Sequence, residues 1–296
     1  MEFTKRNCHN PIIIKKPKKA AFTIETDDDF IKLHCLWISI AKRGGGKTLS
    51  LAHFLKAARD KNYFDRLILI TPTYNSNKNM WDICDIDDDD VIEPEVSSLR
   101  KVIDILNDEK KDWDEFNRMK ELYKKFKKDV REKPVRFWTP DSLIDYESCG
   151  FFEHMPEWKY PQENPPRIAL IIDDFIGTDL CKPTARLVNF CIRHRHLADG
   201  LGCSVFMLAQ TYSALGGIPR PIRENATHLQ LFRNKDGAQM KKIHSEIGQD
   251  IDLDRFDAMF RYCTEGEGNE HSFLFVDFHP QSKDKAFRKN FNEYLN

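Results

Sequence analysis

The chain has 296 residues, 41% of them hydrophobic, which suffices for one large α/β domain with a real core and excludes general disorder. Its 46 basic and 47 acidic side chains cancel to a formal net charge of -1, so whole-molecule attraction to nucleic acid is excluded and any such contact must come from a local patch. No run of about 20 apolar residues occurs, so no membrane span is expected, in line with a mean hydropathy of -0.58.

Residues 1–25 are polar and basic, with Lys5, Arg6, Lys15, Lys16, Lys18 and Lys19 around two prolines, and a flexible arm is expected there. The apolar run at 12–14 is too short for a signal-peptide core. The eight cysteines are scattered and form no C-x-x-C pair, which reads as reduced thiols in a cytosolic compartment. Residues 33–40 form an apolar strand that ends at a glycine cluster, with a helix expected over 47–59 and a second buried strand over 66–71, together one βαβ unit. The rhythm then breaks over 75–160, which reads as an insertion. Its five aspartates between Asp85 and Asp90 suggest a solvated loop. Trp113, Phe116, Met119, Tyr123, Phe126 and Val130 make one apolar face of a helix over 107–131. The other face carries Lys120, Lys124, Lys125, Lys127, Lys128 and Arg131, a solvated surface or a contact for DNA backbone. Alternation resumes with strands over 167–172, 203–209, 226–232 and 272–278 and helices over 184–197, 238–247 and 253–262. The expected fold class is α/β, with a mainly parallel sheet covered by helices, a single domain over 26–280 and a tail over 281–296.

Between the first strand and its helix stands Ala41-Lys42-Arg43-Gly44-Gly45-Gly46-Lys47-Thr48. Phosphates need several converging backbone N–H groups, and Gly44, Gly45 and Gly46 let the chain curl close enough to supply them. Lys47 can reach the terminal phosphates, Thr48 can offer its hydroxyl to magnesium, and the helix N-terminus faces the anion. Ala41 stands where the strict pattern of a P-loop, or Walker A motif, has glycine.

The strand over 167–172 delivers Asp173 and Asp174 at its carboxyl end, the edge where ligands bind in parallel sheets. In this Walker B position Asp173 would hold magnesium and Asp174 would polarise the attacking water. Gln210 ends the next strand. If that strand lies between the other two, Gln210 emerges beside the γ-phosphate as a sensor. Arg195 is the first choice for a guanidinium supplied to a neighbouring subunit, followed by Arg193, with Arg220 and Arg223 as further candidates. Cys191, His194, His196 and Cys203 have a spacing that matches no common zinc finger.

These pieces in this order resemble the FtsK/HerA superfamily of P-loop NTPases, with its RecA/ASCE-like fold, and more closely the DNA-packaging ATPases of large double-stranded DNA viruses. The resemblance spans residues 33–250. It also rests on Thr71-Pro72-Thr73-Tyr74, Arg195-His196, Gln210-Thr211-Tyr212, the tract from Ile218 and Pro219 to Asn225, and Leu231-Phe232-Arg233. It implies ATP and Mg2+ as cofactors, with Lys47 and Thr48 binding both, Asp173 on the metal, Asp174 activating water, Gln210 as sensor and Arg195 as trans finger. It further implies a homo-oligomeric ring that drives double-stranded DNA into a preformed capsid, with a capsid or portal-vertex protein as partner, in the host cytoplasm or the virion. The alternatives are a nucleoside or nucleotide kinase and a weakly hydrolysing nucleotide-gated scaffold.

Overall fold

The computed structural model describes residues 24, 26–27, 29–213, 217–247 and 251–296, so the basic arm expected over 1–25 lies outside the described residues but for Ile24. In chain order the elements are β1 (Leu36–Ile40), α1 (Lys47–Asp60), β2 (Arg66–Ile70), α2 (Tyr74–Trp81), β3 (Val91–Ile92), α3 (Ser98–Glu132) and α4 (Pro140–Ser148). They continue with β4 (Ile168–Asp173), α5 (Thr184–Arg193), the irregular turn α6 (Leu197–Gly200), β5 (Ser204–Ala209), α7 (Arg220–Asn225) and β6 (His228–Phe232). The chain closes with α8 (Gly237–Ile247), α9 (Leu253–Thr264), β7 (Phe273–Asp277), β8 (Phe287–Lys289) and β9 (Glu293–Leu295).

The strands join in one sheet in the order β3-β2-β4-β5-β1-β6-β7-β8-β9. The strands from β3 through β6 are parallel, and β7, β8 and β9 add antiparallel pairs. Every residue of β1, β4, β5 and β6 is buried, as a parallel sheet covered on both faces requires.

Side chains alternate between the faces. Leu36, Ile38, Ile40, Leu170, Ile172 and Val205 join the core under α3, α5, α8 and α9. Trp37, Leu67, Leu69, Ile171 and Phe206 pack under α1, around Leu51, Phe54 and Leu55. Each such side chain contributes on the order of 1.5–3 kcal/mol.

Several elements depart from expectation. α3 begins at Ser98 rather than near 107, because Leu99, Val102 and Leu106 continue its apolar stripe onto the sheet. The aspartate run is not solvated throughout: Asp90 is buried and takes three hydrogen bonds from Arg66, whose guanidinium also pairs with Glu109, and β3 follows at once. Residues 281–296, expected as a tail, carry β8 and β9, since Phe287 is buried beside Val276. Within the insertion the far half of α3 packs with α4 through a small separate core of Phe126, Tyr146 and Phe151.

Candidate active site

The register brings the chemistry to one edge. Ile40 at the end of β1 lies opposite Ala209 at the end of β5, and Asp173 at the end of β4 lies opposite Leu208. The chain therefore leaves β1 into the phosphate loop, β4 into Asp174 and β5 into Gln210 at the same level. Because β5 runs between β1 and β4, Gln210 emerges between the loop and the acids, the placement on which its reading as a sensor depended. Lys47, Thr48, Asp174 and Gln210 line one cleft of about 540 Å3 with Arg43, Gly44, Gly45 and Gly46.

The loop geometry accounts for Ala41. It is not among the residues of positive φ, and its methyl is buried in the core under α1, so glycine's freedom is not needed there. Its amide donates to the Ala209 carbonyl at 3.1 Å, extending the ladder by one rung. The methyl constrains its neighbour instead, since a Cβ on Gly45 would sit 2.9 Å from that of Ala41. Gly46, the N-cap of α1, has φ 95°, which glycine adopts without strain.

Lys47 is buried, and its Nζ lies 3.4 Å from Asp174 Oδ1. Thr48 Oγ1 donates to Asp173 Oδ2 at 3.1 Å. Asp173 is wholly buried, and burial together with the Asp174 charge pushes its carboxyl up to about 6, against the pull of Lys47 and Thr48. Its Oδ1 is buried with no hydrogen-bond partner in the protein. A buried orphan carboxylate oxygen beside a threonine hydroxyl is a hard oxygen donor set, and these residues fit a magnesium ion. Asp174 has φ 47°, a left-handed conformation that an aspartate tolerates and that turns the chain out of β4.

The arginines do not join this site within the chain. Arg193 and Arg195 are exposed and precede β5, at the opposite edge of the sheet, where the His194 carbonyl accepts from the Cys203 amide at 3.0 Å. Arg220 pairs with Glu224 on the surface. Arg223 is used structurally, its guanidinium forked on Glu246 and stacked over Tyr212. Cys191 and His194 are likewise taken up in packing: the thiol points at Met207 Sδ, and His194 Nδ1 meets the Cys203 carbonyl. Among the described residues no group of three or more His, Cys, Asp or Glu is arranged to hold a metal.

The cleft also holds residues to which the sequence assigned no role. Thr73, the N-cap of α2, lines it with Ser76 and Asn77 of that helix, Asn77 Nδ2 donating to Thr73 Oγ1. His271 lines it from the loop before β7. Thr73 stood in a stretch already singled out by resemblance, whereas His271 carried no local signal.

No protein-family model matches the chain, and no curated protein matches it. Among solved structures it is similar to EssC (ATPases 2 and 3) from Geobacillus thermodenitrificans, at 12% identity and TM-score 0.44, covering 87% of this chain and 39% of that one. It is similar to the genome packaging NTPase B204 of Sulfolobus turreted icosahedral virus 2 in complex with AMPPCP, at 10% identity and TM-score 0.43, covering 88% and 97%. A third is the pCW3 conjugation coupling protein TcpA with ATPγS, at 16% identity and TM-score 0.40, covering 83% and 58%. The strand order and the glycine cradle at the end of β1 give this chain the fold of a P-loop NTPase, with a mainly parallel sheet flanked by helices.

Proposed function

We propose that the chain is an ATP-hydrolysing motor that acts as a homo-oligomeric ring to move double-stranded DNA, packaging a viral genome into a preformed capsid in the infected cell. The observation that carries the hydrolytic part is the convergence of Lys47, Thr48, Asp173, Asp174 and Gln210 on one edge of the sheet. Lys47 neutralises the terminal phosphates, and the α1 N-terminus and loop amides hold them. Thr48 and Asp173 would hold magnesium, which supplies charge neutralisation of the phosphate oxygens when bound. Asp174 orients and polarises the attacking water, and Gln210 hydrogen-bonds the water or the γ-phosphate. The DNA-moving and packaging part is supported by the order of motifs that resembles the FtsK/HerA superfamily.

The exposed position of Arg195, at the edge away from its own cradle, suits a finger offered to a neighbouring subunit. ATPase assays of the assembled protein test the reading. Phosphate release should rise with double-stranded DNA, vanish in Lys47→Ala, and fall in Arg195→Ala, with activity restored by mixing Arg195→Ala with Lys47→Ala protomers. Turnover indifferent to any DNA, or transfer of phosphate to a nucleoside, would overturn it.

A further inference from the structure

His271 lies on the phosphate loop itself. A Cβ on Gly46 would stand 3.2 Å from the His271 Cβ and 3.3 Å from its Nδ1, so the imidazole rests against the last loop glycine before Lys47. Its position follows from the sheet. Phe273 of β7 pairs with Phe232 of β6, which places residues 271 and 272 at the carboxyl edge just beyond β6. The loop leading there is fixed rather than trailing: Asn269 Nδ2 donates to the Glu265 carbonyl at 2.6 Å, the Ser272 amide to the Asn269 carbonyl at 3.1 Å, and the Phe273 amide to Asn290 Oδ1 at 3.1 Å.

The same strand order sets the direction of a bound nucleotide. Asp173 and Asp174 leave β4 and Gln210 leaves β5, all on one side of β1, so the γ-phosphate points that way. The nucleoside at the other end of the triphosphate must then extend towards β6 and β7. His271 is the cleft residue contributed from that side.

We propose that His271 is a nucleotide-binding residue whose ring packs against the base, so that the loop between α9 and β7, and not only the phosphate loop, holds the nucleoside. This rests on the nucleotide reading above. Stacking of a base on an aromatic side chain predicts about a tenfold loss of affinity when the ring is removed.

The test is equilibrium titration of the full chain with ADP and, separately, with inorganic tripolyphosphate, which has no base. His271→Ala should weaken ADP about tenfold and leave tripolyphosphate within about twofold, while His271→Phe should keep ADP binding. The proposal is overturned if His271→Ala leaves ADP unchanged, if it weakens tripolyphosphate equally, or if His271→Gln restores ADP binding and His271→Phe does not. Lys47→Ala separates the two readings: it should weaken both ligands, and if it weakens neither, the nucleotide assignment itself fails.

Discussion

The site should be held against the interest of stability, and Asp173→Asn measures by how much. Asp173 is wholly buried at the end of β4 with Asp174 beside it, and its carboxyl titrates near 6 instead of 3.8. Between these values the folded chain binds the proton and the unfolded chain has released it, so stability falls as pH rises through this window, and the penalty is complete above about 6. At 1.36 kcal/mol per pKa unit the ionised carboxylate costs about 3 kcal/mol at neutral pH. Asparagine is the same shape and can still accept from Thr48, but carries no charge. Any cost of its amide nitrogen is the same at every pH. The difference in unfolding free energy between variant and wild type should therefore grow by about 2.5 kcal/mol between pH 4, where the unfolded carboxyl is already partly ionised, and pH 7.5, in urea titrations with a chelator present. Hydrolysis should meanwhile be lost by a factor of about a hundred or more, since the group that would hold the metal has lost its charge. A stability difference that is flat with pH, or that favours the wild type more as pH rises, would refute the reasoning.

In the loop, Gly45→Ala should clash with the buried Ala41 methyl and cost about 1–3 kcal/mol in urea stability along with nucleotide affinity, and Ala41→Gly in the same chain should recover part of it. No recovery would contradict the assigned contact. His194 is buried against the Cys203 carbonyl, and burial pushes it down to about 4 from 6.5. It stays neutral when folded but takes a proton when unfolded, so its own contribution to stability should fall by up to about 3 kcal/mol from pH 6.5 towards 4, read as a change of that size in the difference in unfolding free energy between His194→Asn and wild type across this window; a difference flat with pH would contradict it. Phe126 anchors the core between α3 and α4, away from the two cores of the sheet. Phe126→Ala should cost about 3–5 kcal/mol locally, read as faster amide exchange in α4 and the far half of α3 with unchanged protection in β1, β4 and β5.

The strands nearest the site were legible because each is a short apolar run buried on both faces and ended by its functional residue: Ile40 before the loop, Ile172 before Asp173, Ala209 before Gln210. Their lateral order was not legible. The adjacency of β5 to both β1 and β4 is set by long-range packing, and only it turns Gln210 from a strand-ending polar residue into a neighbour of Lys47. The start of α3 was readable in Leu99, Val102 and Leu106 but was masked by the aspartate run before it. Asp90 looked like one more solvated acid because its partner Arg66 is distant in the chain. β8 and β9 are too short to show a period, with Arg288 buried and charged among them. His271 had no signal at all: a lone histidine in a glycine- and glutamate-rich stretch gains meaning only when β7 folds back beside β6 and lays it on Gly46.

The most direct measurement is a crystal structure of the chain with magnesium and a non-hydrolysable ATP analogue. The expected result has the β- and γ-phosphates within the Gly44–Thr48 loop, Lys47 Nζ bonded to them, and the metal bound by Thr48 Oγ1 and bonded to Asp173 directly or through water. An analogue seated elsewhere, or a metal on neither residue, would contradict the assignment of this edge of the sheet as the site of ATP hydrolysis.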